Sequence, residues 1–186
     1  MMQEQITTSW RFWLFWMLAF IAFPIGGLFA TVMVGPVTTA IRAILAGAIT
    51  GIVLGLIQWF VLKGSISLSM IGWILATGAG MAVGLGLSVG LLGSEMSDNN
   101  LLWRAAITGM CIGIAQWFLF RNIFPQSVIW IAVIALGWAA GWFVTRSAGV
   151  DLSPKWSVFG ATGALTFQLI TGLALYFLMR LSQGLK

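Results

Sequence analysis

The sequence predicts an all-α protein that lies in a membrane as six transmembrane helices, arranged as three tandem helical hairpins around a pseudo-threefold axis. Three observations support this prediction. Hydrophobic residues make up 60% of the 186 residues and charged residues only 7%, with a mean hydropathy of +1.03, whereas soluble domains are about a quarter charged. The chain divides into six apolar stretches, each near the roughly 20 residues that a helix needs to cross a bilayer. One of these stretches also occurs twice.

The six apolar stretches follow one another with short polar connections. Each is continuous enough for a helix, which satisfies its own backbone hydrogen bonds in lipid, whereas a membrane β-barrel would need alternating segments of roughly ten residues. Pro24 lies within the first stretch and predicts a kink there. A single transmembrane domain over residues 1–186 is therefore expected. The predicted spans are 10–34, 41–62, 70–92, 102–120, 128–145 and 156–179.

The second and fourth stretches carry nearly the same sequence. Residues 48–60, AITGIVLGLIQWF, and residues 106–118, AITGMCIGIAQWF, are identical at eight of thirteen positions. In the sixth stretch only Thr162-Gly163 remains of this motif, and Gln168 is predicted to point to nearly the opposite face of its helix. In the odd-numbered stretches Trp16, Trp73 and Trp130 follow one another at intervals of 57 residues. These patterns predict hairpin repeats over 10–62, 70–120 and 128–179, related by an axis along the membrane normal.

The basic residues specify the orientation of the chain only weakly. Five lie on the side of the two termini and four on the other, while the acidic residues of the connections all lie on that other side. We expect both termini to be cytoplasmic, in a bacterial inner (plasma) or thylakoid membrane. The five are Arg11, Lys63, Arg121, Arg180 and Lys186; the four are Arg42, Arg104, Arg146 and Lys155; the acids are Glu95, Asp98 and Asp151.

The residue inventory excludes most reaction chemistry. The chain has no histidine, which excludes His-based acid/base catalysis and His-ligated zinc or haem. Its four acidic residues lie in the N-terminal segment or in connections, so no carboxylate is expected at membrane depth as a proton relay or ion site. Lys and Arg form no run, so the net charge of +5 does not predict nucleic-acid binding. We expect no enzyme activity, no metal and no cofactor.

Glycines recur every fourth residue within the spans. In lipid, small residues on one face of a helix let a neighbouring helix approach closely, so these glycines are predicted to be helix-packing positions. The alternative is that they line a narrow pathway with exposed backbone. The helix-packing glycines are Gly47, Gly51, Gly55, Gly80, Gly84, Gly109, Gly113, Gly137 and Gly141.

The two Gln-Trp pairs, Gln58-Trp59 and Gln116-Trp117, end the duplicated stretches near one membrane surface. They are expected to form an interfacial collar, in which the amides bond a neighbouring helix and the indoles lie at headgroup depth. In the alternative interpretation the amides point inward and, with Trp138 and Trp142, surround a central solute cavity above about 300 Å³. Arg42 and Arg104 are expected to snorkel to the surface. An aromatic belt is predicted for Trp10, Trp13, Trp59, Trp73, Trp103, Trp117, Trp130 and Trp156.

The repeated motifs resemble a known family. The pattern W-x(6)-G-x(3)-G is matched by Trp73, Gly80 and Gly84, and the pattern G-x(3)-G-x(2)-Q-W is matched by residues 109–117 and again by residues 51–59. Together they resemble uncharacterised, glycine-rich multi-pass membrane proteins that are common in cyanobacteria and Chloroflexi-type bacteria. The likeness covers most of the chain from residue 16 to 142 and implies the hairpin fold but no activity.

An inventory rich in packing residues and poor in reactive groups predicts the class of function. We expect a non-enzymatic integral membrane protein that acts through helix packing, as an accessory, scaffold or assembly component of a membrane complex or as a homo-oligomer. The alternative is a small-solute binding or transport protein with a central cavity. In both cases the lipid bilayer is the first partner.

Overall fold

The computed structural model of the protein describes residues 10–184, and the side chains of all of these except residues 98, 99, 183 and 184. Within this range the ordered elements are all helical, and six helices are long and apolar enough to cross a membrane. This confirms the predicted all-α class and the predicted number of spans. The spans, numbered 1 to 6, are Trp10–Val34, Ala40–Leu62, Met70–Leu92, Asn100–Phe120, Ile129–Ser147 and Ala161–Ser182.

Local residues determine where the spans begin and end. The hydroxyl of Thr39 accepts a hydrogen bond from the backbone N–H of Arg42 at the start of span 2, and that of Ser69 accepts one from Gly72 at the start of span 3. Such N-caps satisfy backbone donors that have no partner within the helix. Gly35 and Gly93 end spans 1 and 3 with φ angles of 80° and 78°, a backbone conformation that favours glycine.

Span 1 is interrupted near its predicted kink. Its helix consists of Trp10–Leu18 and Ala22–Val34, joined by a 3₁₀ turn at Ala19–Ile21. Pro24 has no N–H to donate to the carbonyl of the residue four positions earlier, and its ring crowds that carbonyl. The helix therefore adjusts in the turn that precedes the proline.

Span 6 begins at Ala161, so the predicted start at residue 156 was wrong. The residues before it form a connection that turns into the protein, in which Ser157, Val158 and Phe159 are buried. The hydroxyl of Thr50 in span 2 lies 3.0 Å from that of Ser157, which holds the connection inside. Because a buried connection is as apolar as a span, hydropathy alone does not separate the two.

The six spans form a closed ring. The backbone of each span lies against the spans before and after it in the chain, and span 6 lies against span 1. Within residues 10–184 no two spans that are not neighbours in the ring approach to a Cα–Cα distance of 8 Å. Across the ring the backbones of the spans are therefore separated, and buried side chains extend into the space between them.

Aromatic side chains form two buried clusters in this interior. The first joins spans 1, 5 and 6 and their connection, with ring centroids of Phe159 4.9 Å from Phe23 and 4.8 Å from Trp138. The second joins spans 3, 4 and 5, with the Phe120 ring 5.2 Å from that of Trp73 and 5.3 Å from that of Trp130. Stacked and edge-on contacts at these distances are favourable beyond the burial of apolar area.

Candidate functional site

The Gln116 amide connects three spans. Its Nε2 donates to the hydroxyl of Thr77 in span 3 at 3.0 Å, and its Oε1 accepts from the indole N–H of Trp130 in span 5 at 2.9 Å. The Thr77 hydroxyl in turn donates to the backbone carbonyl of Trp73 at 2.9 Å. A buried amide is costly unless it is hydrogen-bonded, and here both of its ends are. The Gln116 side chain therefore links spans 3, 4 and 5 by hydrogen bonds inside the bundle.

Gln58 occupies the corresponding place in the duplicated sequence but lacks the corresponding bond. It is buried, and its Oε1 has no hydrogen-bond partner among the described residues. The same is true of the indole nitrogen of Trp73, the counterpart of Trp130. Gln58 Oε1 and Trp73 Nε1 correspond to the hydrogen-bonded atoms Gln116 Oε1 and Trp130 Nε1, but both are buried without partners. The joint between spans 2 and 3 therefore lacks the polar link that joins spans 4 and 5.

The joint between spans 6 and 1 uses a hydroxyl in place of an amide. The indole N–H of Trp16 donates to Thr171 at 3.0 Å, and Gln168 donates to the backbone carbonyl of Trp16 at 2.8 Å. Both side chains are buried, so the face of span 6 that carries Gln168 is turned toward span 1. Residues three apart share one face of a helix, which places Gln168 beside Thr171.

The glycines lie at the contacts between neighbouring elements. A Cβ on Gly51 would lie 2.8 Å from the Thr77 carbonyl oxygen, and a Cβ on Gly109 would lie 2.7 Å from that of Ile134. These two contacts occupy corresponding positions of the sequence repeat. At all nine predicted helix-packing glycines an added Cβ would approach an atom of a neighbouring element to 3.1 Å or less. The glycine faces are therefore occupied within the ring.

The other residues of the predicted solute site lie at different depths. Trp59 and Trp117 are half-buried, with Lys63 5.2 Å from the first ring and Arg121 5.9 Å from the second. Trp138 lies in the first aromatic cluster, about 12 Å along span 5 from Trp130, the tryptophan that contacts Gln116. The solute site drawn from these residues stays a prediction, and the structure places them in three different surroundings.

Two members of the predicted aromatic belt lie inside the protein. Trp73 and Trp130 are 0% and 1% exposed, so their predicted position at the headgroups was wrong. Both pack against Phe120. A tryptophan near the end of a span has the same composition signal whether it faces the headgroups or the bundle interior, and only the rotation of the helix separates the two.

Arg104 is a buried cation that sequence reasoning placed at the surface. Arg42 is exposed as predicted, but Arg104 is only 4% exposed, so the prediction that it snorkels was wrong. One guanidinium nitrogen lies 3.4 Å from the Glu95 carbonyl oxygen, and its Nε has no hydrogen-bond partner. One feature of the sequence could have indicated that Arg104 is buried. Residues 104, 108, 112 and 116 recur at four-residue intervals along span 4, and all four are buried.

A cavity of about 10 Å³ lies beside Arg104, which is room for one water-sized particle. Its wall is formed by spans 3, 4 and 5, the connection between spans 3 and 4, and the connection between spans 5 and 6. Trp142, which the alternative interpretation places at a much larger central cavity, is part of this wall. The wall includes Leu85, Met96, Leu101, Thr108, Trp142 and Trp156.

An ion pair on the surface joins the two connections around this cavity. The Nζ of Lys155 lies 2.9 Å from the Glu95 carboxylate and 3.3 Å from the Ser94 hydroxyl. The hydrogen bond and charge of Lys155 lower the pKa of Glu95 below its usual range. The nearby Asp151 carboxylate accepts hydrogen bonds from the hydroxyl and backbone N–H of Ser153, which lower its pKa as well.

Replacing Glu95 by glutamine is expected to lower the thermal unfolding midpoint slightly at neutral pH. The effect is small because the pair is exposed. Since the pKa of Glu95 is lowered in the folded state, its contribution to stability is present above the ordinary carboxyl range and is lost as the pH falls through the lowered value. Unfolding midpoints of both proteins from about pH 7 to pH 3 should therefore converge in acid. A difference that stays constant over this range would contradict the role of the ion pair.

The groups that the bundle interior supplies are hydrogen-bonding amides and hydroxyls, aromatic rings and one buried cation. Among the described residues no three His, Cys, Asp or Glu side chains are grouped so that they could hold a metal ion. The thiol of Cys111 is half-buried within span 4. Arg104 is the buried charged side chain whose Nε has no hydrogen-bond partner among the described residues. In comparisons with known proteins, no family model, no curated protein and no solved structure matches this chain.

Proposed function

We propose that this protein is a non-enzymatic membrane protein that acts through helix packing, as an accessory, scaffold or assembly component of a larger complex or as a homo-oligomer. The observation that supports it best is the use of the interior. Glycine faces are occupied by neighbouring elements, aromatic rings form two buried clusters, and Gln116 is bonded at both ends of its amide. Such a bundle is suited to present a fixed outer surface to a membrane partner.

We further propose that the three hairpins are related by a pseudo-threefold axis, with both termini cytoplasmic in a bacterial inner or thylakoid membrane. The ring order of the spans supports the axis, because tandem hairpins of constant orientation follow one another around such a ring. The matching contacts of Gly51 and Gly109, at positions 58 residues apart, support it as well. Cysteine labelling of both termini from each side of sealed vesicles tests the orientation.

The proposed packing role predicts an assembly larger than one chain. Tagged protein extracted from its native membrane in a mild detergent is expected to carry a partner in fixed stoichiometry, or to have the mass of an oligomer. Size-exclusion chromatography with light scattering and mass spectrometry of the same fractions would measure both. Mixing isotope-labelled membranes before extraction controls for association after lysis. A monomer without a partner from gentle extraction would contradict the proposal.

The second candidate function is small-solute binding. The residues predicted for a central solute site lie in different surroundings. One observation favours a smaller site, namely the cavity beside Arg104 and Trp142. The volume is far below the roughly 300 Å³ of ordinary ligand pockets. Any solute held there must therefore be very small.

A further inference from the structure

We propose that the cavity beside Arg104 binds one small monovalent inorganic anion of the chloride type. The inference does not depend on the packing role proposed above. It rests on the burial of the Arg104 side chain, on the size and lining of the cavity that it helps to form, and on the fact that no carboxylate among the described side chains forms an ion pair with it.

The Arg104 side chain is buried, and its Nε has no hydrogen-bond partner. An arginine carries five N–H donors and remains charged in proteins. Here one nitrogen makes a long contact of 3.4 Å to the Glu95 carbonyl oxygen and a weak one of 3.7 Å to the sulfur of Met96. The Nε is fully buried and has no partner. Buried charges are ordinarily paired, so this cation calls for a counter-ion.

The charge of Glu95 acts on Arg104, but its carboxylate forms its ion pair with another cation. Glu95 turns its side chain outward to Lys155, with a carboxylate to ammonium distance of 2.9 Å. Its side chain is 76% exposed, whereas Arg104 lies below it in the protein. The whole chain carries nine Lys and Arg residues against four Asp and Glu, so it has few anions of its own. A counter-ion for Arg104 is therefore expected to come from solution.

The cavity fits a small anion better than a larger one. Its volume of about 10 Å³ is room for one water-sized particle, which excludes sulfate, phosphate and carboxylate ligands. A halide ion is somewhat larger than a water molecule and enters only if the flexible Met96 side chain shifts. Much of its wall is apolar, including Leu85, Leu101 and the ring of Trp142. The hydroxyl of Thr108 already donates to the Arg104 carbonyl oxygen. The guanidinium is thus the principal donor, and a monatomic anion needs no acceptor from the wall.

The position of the cavity also provides access. Met96 lines both this cavity and an open cleft of about 450 Å³ on the protein surface. That cleft is bordered by two cations, Arg146 and Lys155, and by two carboxylates, Glu95 and Asp151, so its formal charges balance and do not oppose the entry of an anion. An anion could reach Arg104 by displacement of the flexible Met96 side chain.

Anion dependence of the unfolding midpoint tests the site in the purified full-length protein. Chloride, compared with gluconate at equal ionic strength, is expected to raise the midpoint by about 5 °C, since a ligand that binds only the folded state stabilises it. Bromide should act similarly. Arg104→Gln should abolish the difference between chloride and gluconate, whereas Arg42→Gln, which alters an exposed arginine of span 2, should retain it.

Two further measurements keep the result decisive. If Arg104→Gln does not fold, the ³⁵Cl NMR linewidth of the wild-type protein replaces it: bound chloride should broaden the line, bromide should narrow it by competition, and sulfate should not. Glu95→Gln should leave the chloride effect intact, because Glu95 is not the partner of Arg104 in this proposal. Equal midpoints in chloride and gluconate with no broadening would overturn the proposal. So would an undiminished chloride effect in Arg104→Gln or its loss in Glu95→Gln.

Discussion

Replacing Gly109 by alanine is expected to lower the free energy of unfolding by about 2–3 kcal/mol and to reduce the yield of folded protein. The added Cβ would lie 2.7 Å from the Ile134 carbonyl oxygen and 2.8 Å from the Cα of Ala135. Both atoms belong to the backbone of span 5, so no side-chain rotation relieves the contact. Spans 4 and 5 must separate, and the close approach that glycine permits between helices in lipid is lost.

Gly90→Ala is the matched control for this substitution. Gly90 lies in span 3, and an added Cβ there would have no neighbouring atom within 4 Å. Alanine is the better helix former by roughly 0.5–1 kcal/mol, so this variant should be as stable as wild type or slightly more stable. Thermal unfolding in one detergent and the recovered monodisperse fraction would measure both variants. Similar losses in Gly109→Ala and Gly90→Ala would refute the packing role of Gly109.

Replacing Gln116 by leucine is expected to lower the free energy of unfolding by about 1–2 kcal/mol. The change removes the acceptor for the Trp130 indole N–H and the bond to the Thr77 hydroxyl. The Trp130 donor then stays buried without a partner, which carries a desolvation cost. Leucine has a similar size, so the loss reports mainly on hydrogen bonding.

Gln58→Leu separates this hydrogen-bonding effect from a general requirement for glutamine. The Gln58 Oε1 and the Trp73 indole nitrogen already lack partners, so the same substitution at residue 58 should cost clearly less. A double-mutant cycle of Gln116→Leu with Trp130→Phe should give a coupling of about 0.6–2 kcal/mol, measured from unfolding in denaturant. Equal losses at residues 58 and 116, with no coupling to Trp130, would count against the polar link.

The internal use of the glycine faces bears on the proposed assembly. Gly51 and Gly109 contact spans of the same chain, so a second copy or a partner would contact other surfaces. The outside of the ring carries large apolar side chains such as Val32 and Met33. Glycine variants are therefore expected to destabilise each bundle, whereas variants on the outer face would separate an assembly from its partner without unfolding it.

Much of the fold could be predicted from the sequence because the relevant signals are local. Hydropathy located all six spans, and the four-residue spacing of glycines identified positions that do lie at contacts between neighbouring elements. The prediction for the start of span 6 was wrong by five residues, since the buried connection through Phe159 is as apolar as a helix in lipid. The likeness to glycine-rich multi-pass proteins stays a prediction.

Which side chains face the interior depends on the tertiary structure. In a soluble protein, the face of a helix that contacts water carries polar residues. Lipid is as apolar as the core of the bundle, so the sequence of a membrane span does not show which face turns inward. The sequence by itself therefore determined the spans and the small residues that allow them to pack. Only the rotation of each helix in the closed ring decided that Arg104 is buried beside a cavity, and that Gln116 reaches Trp130 while Gln58 Oε1 has no partner.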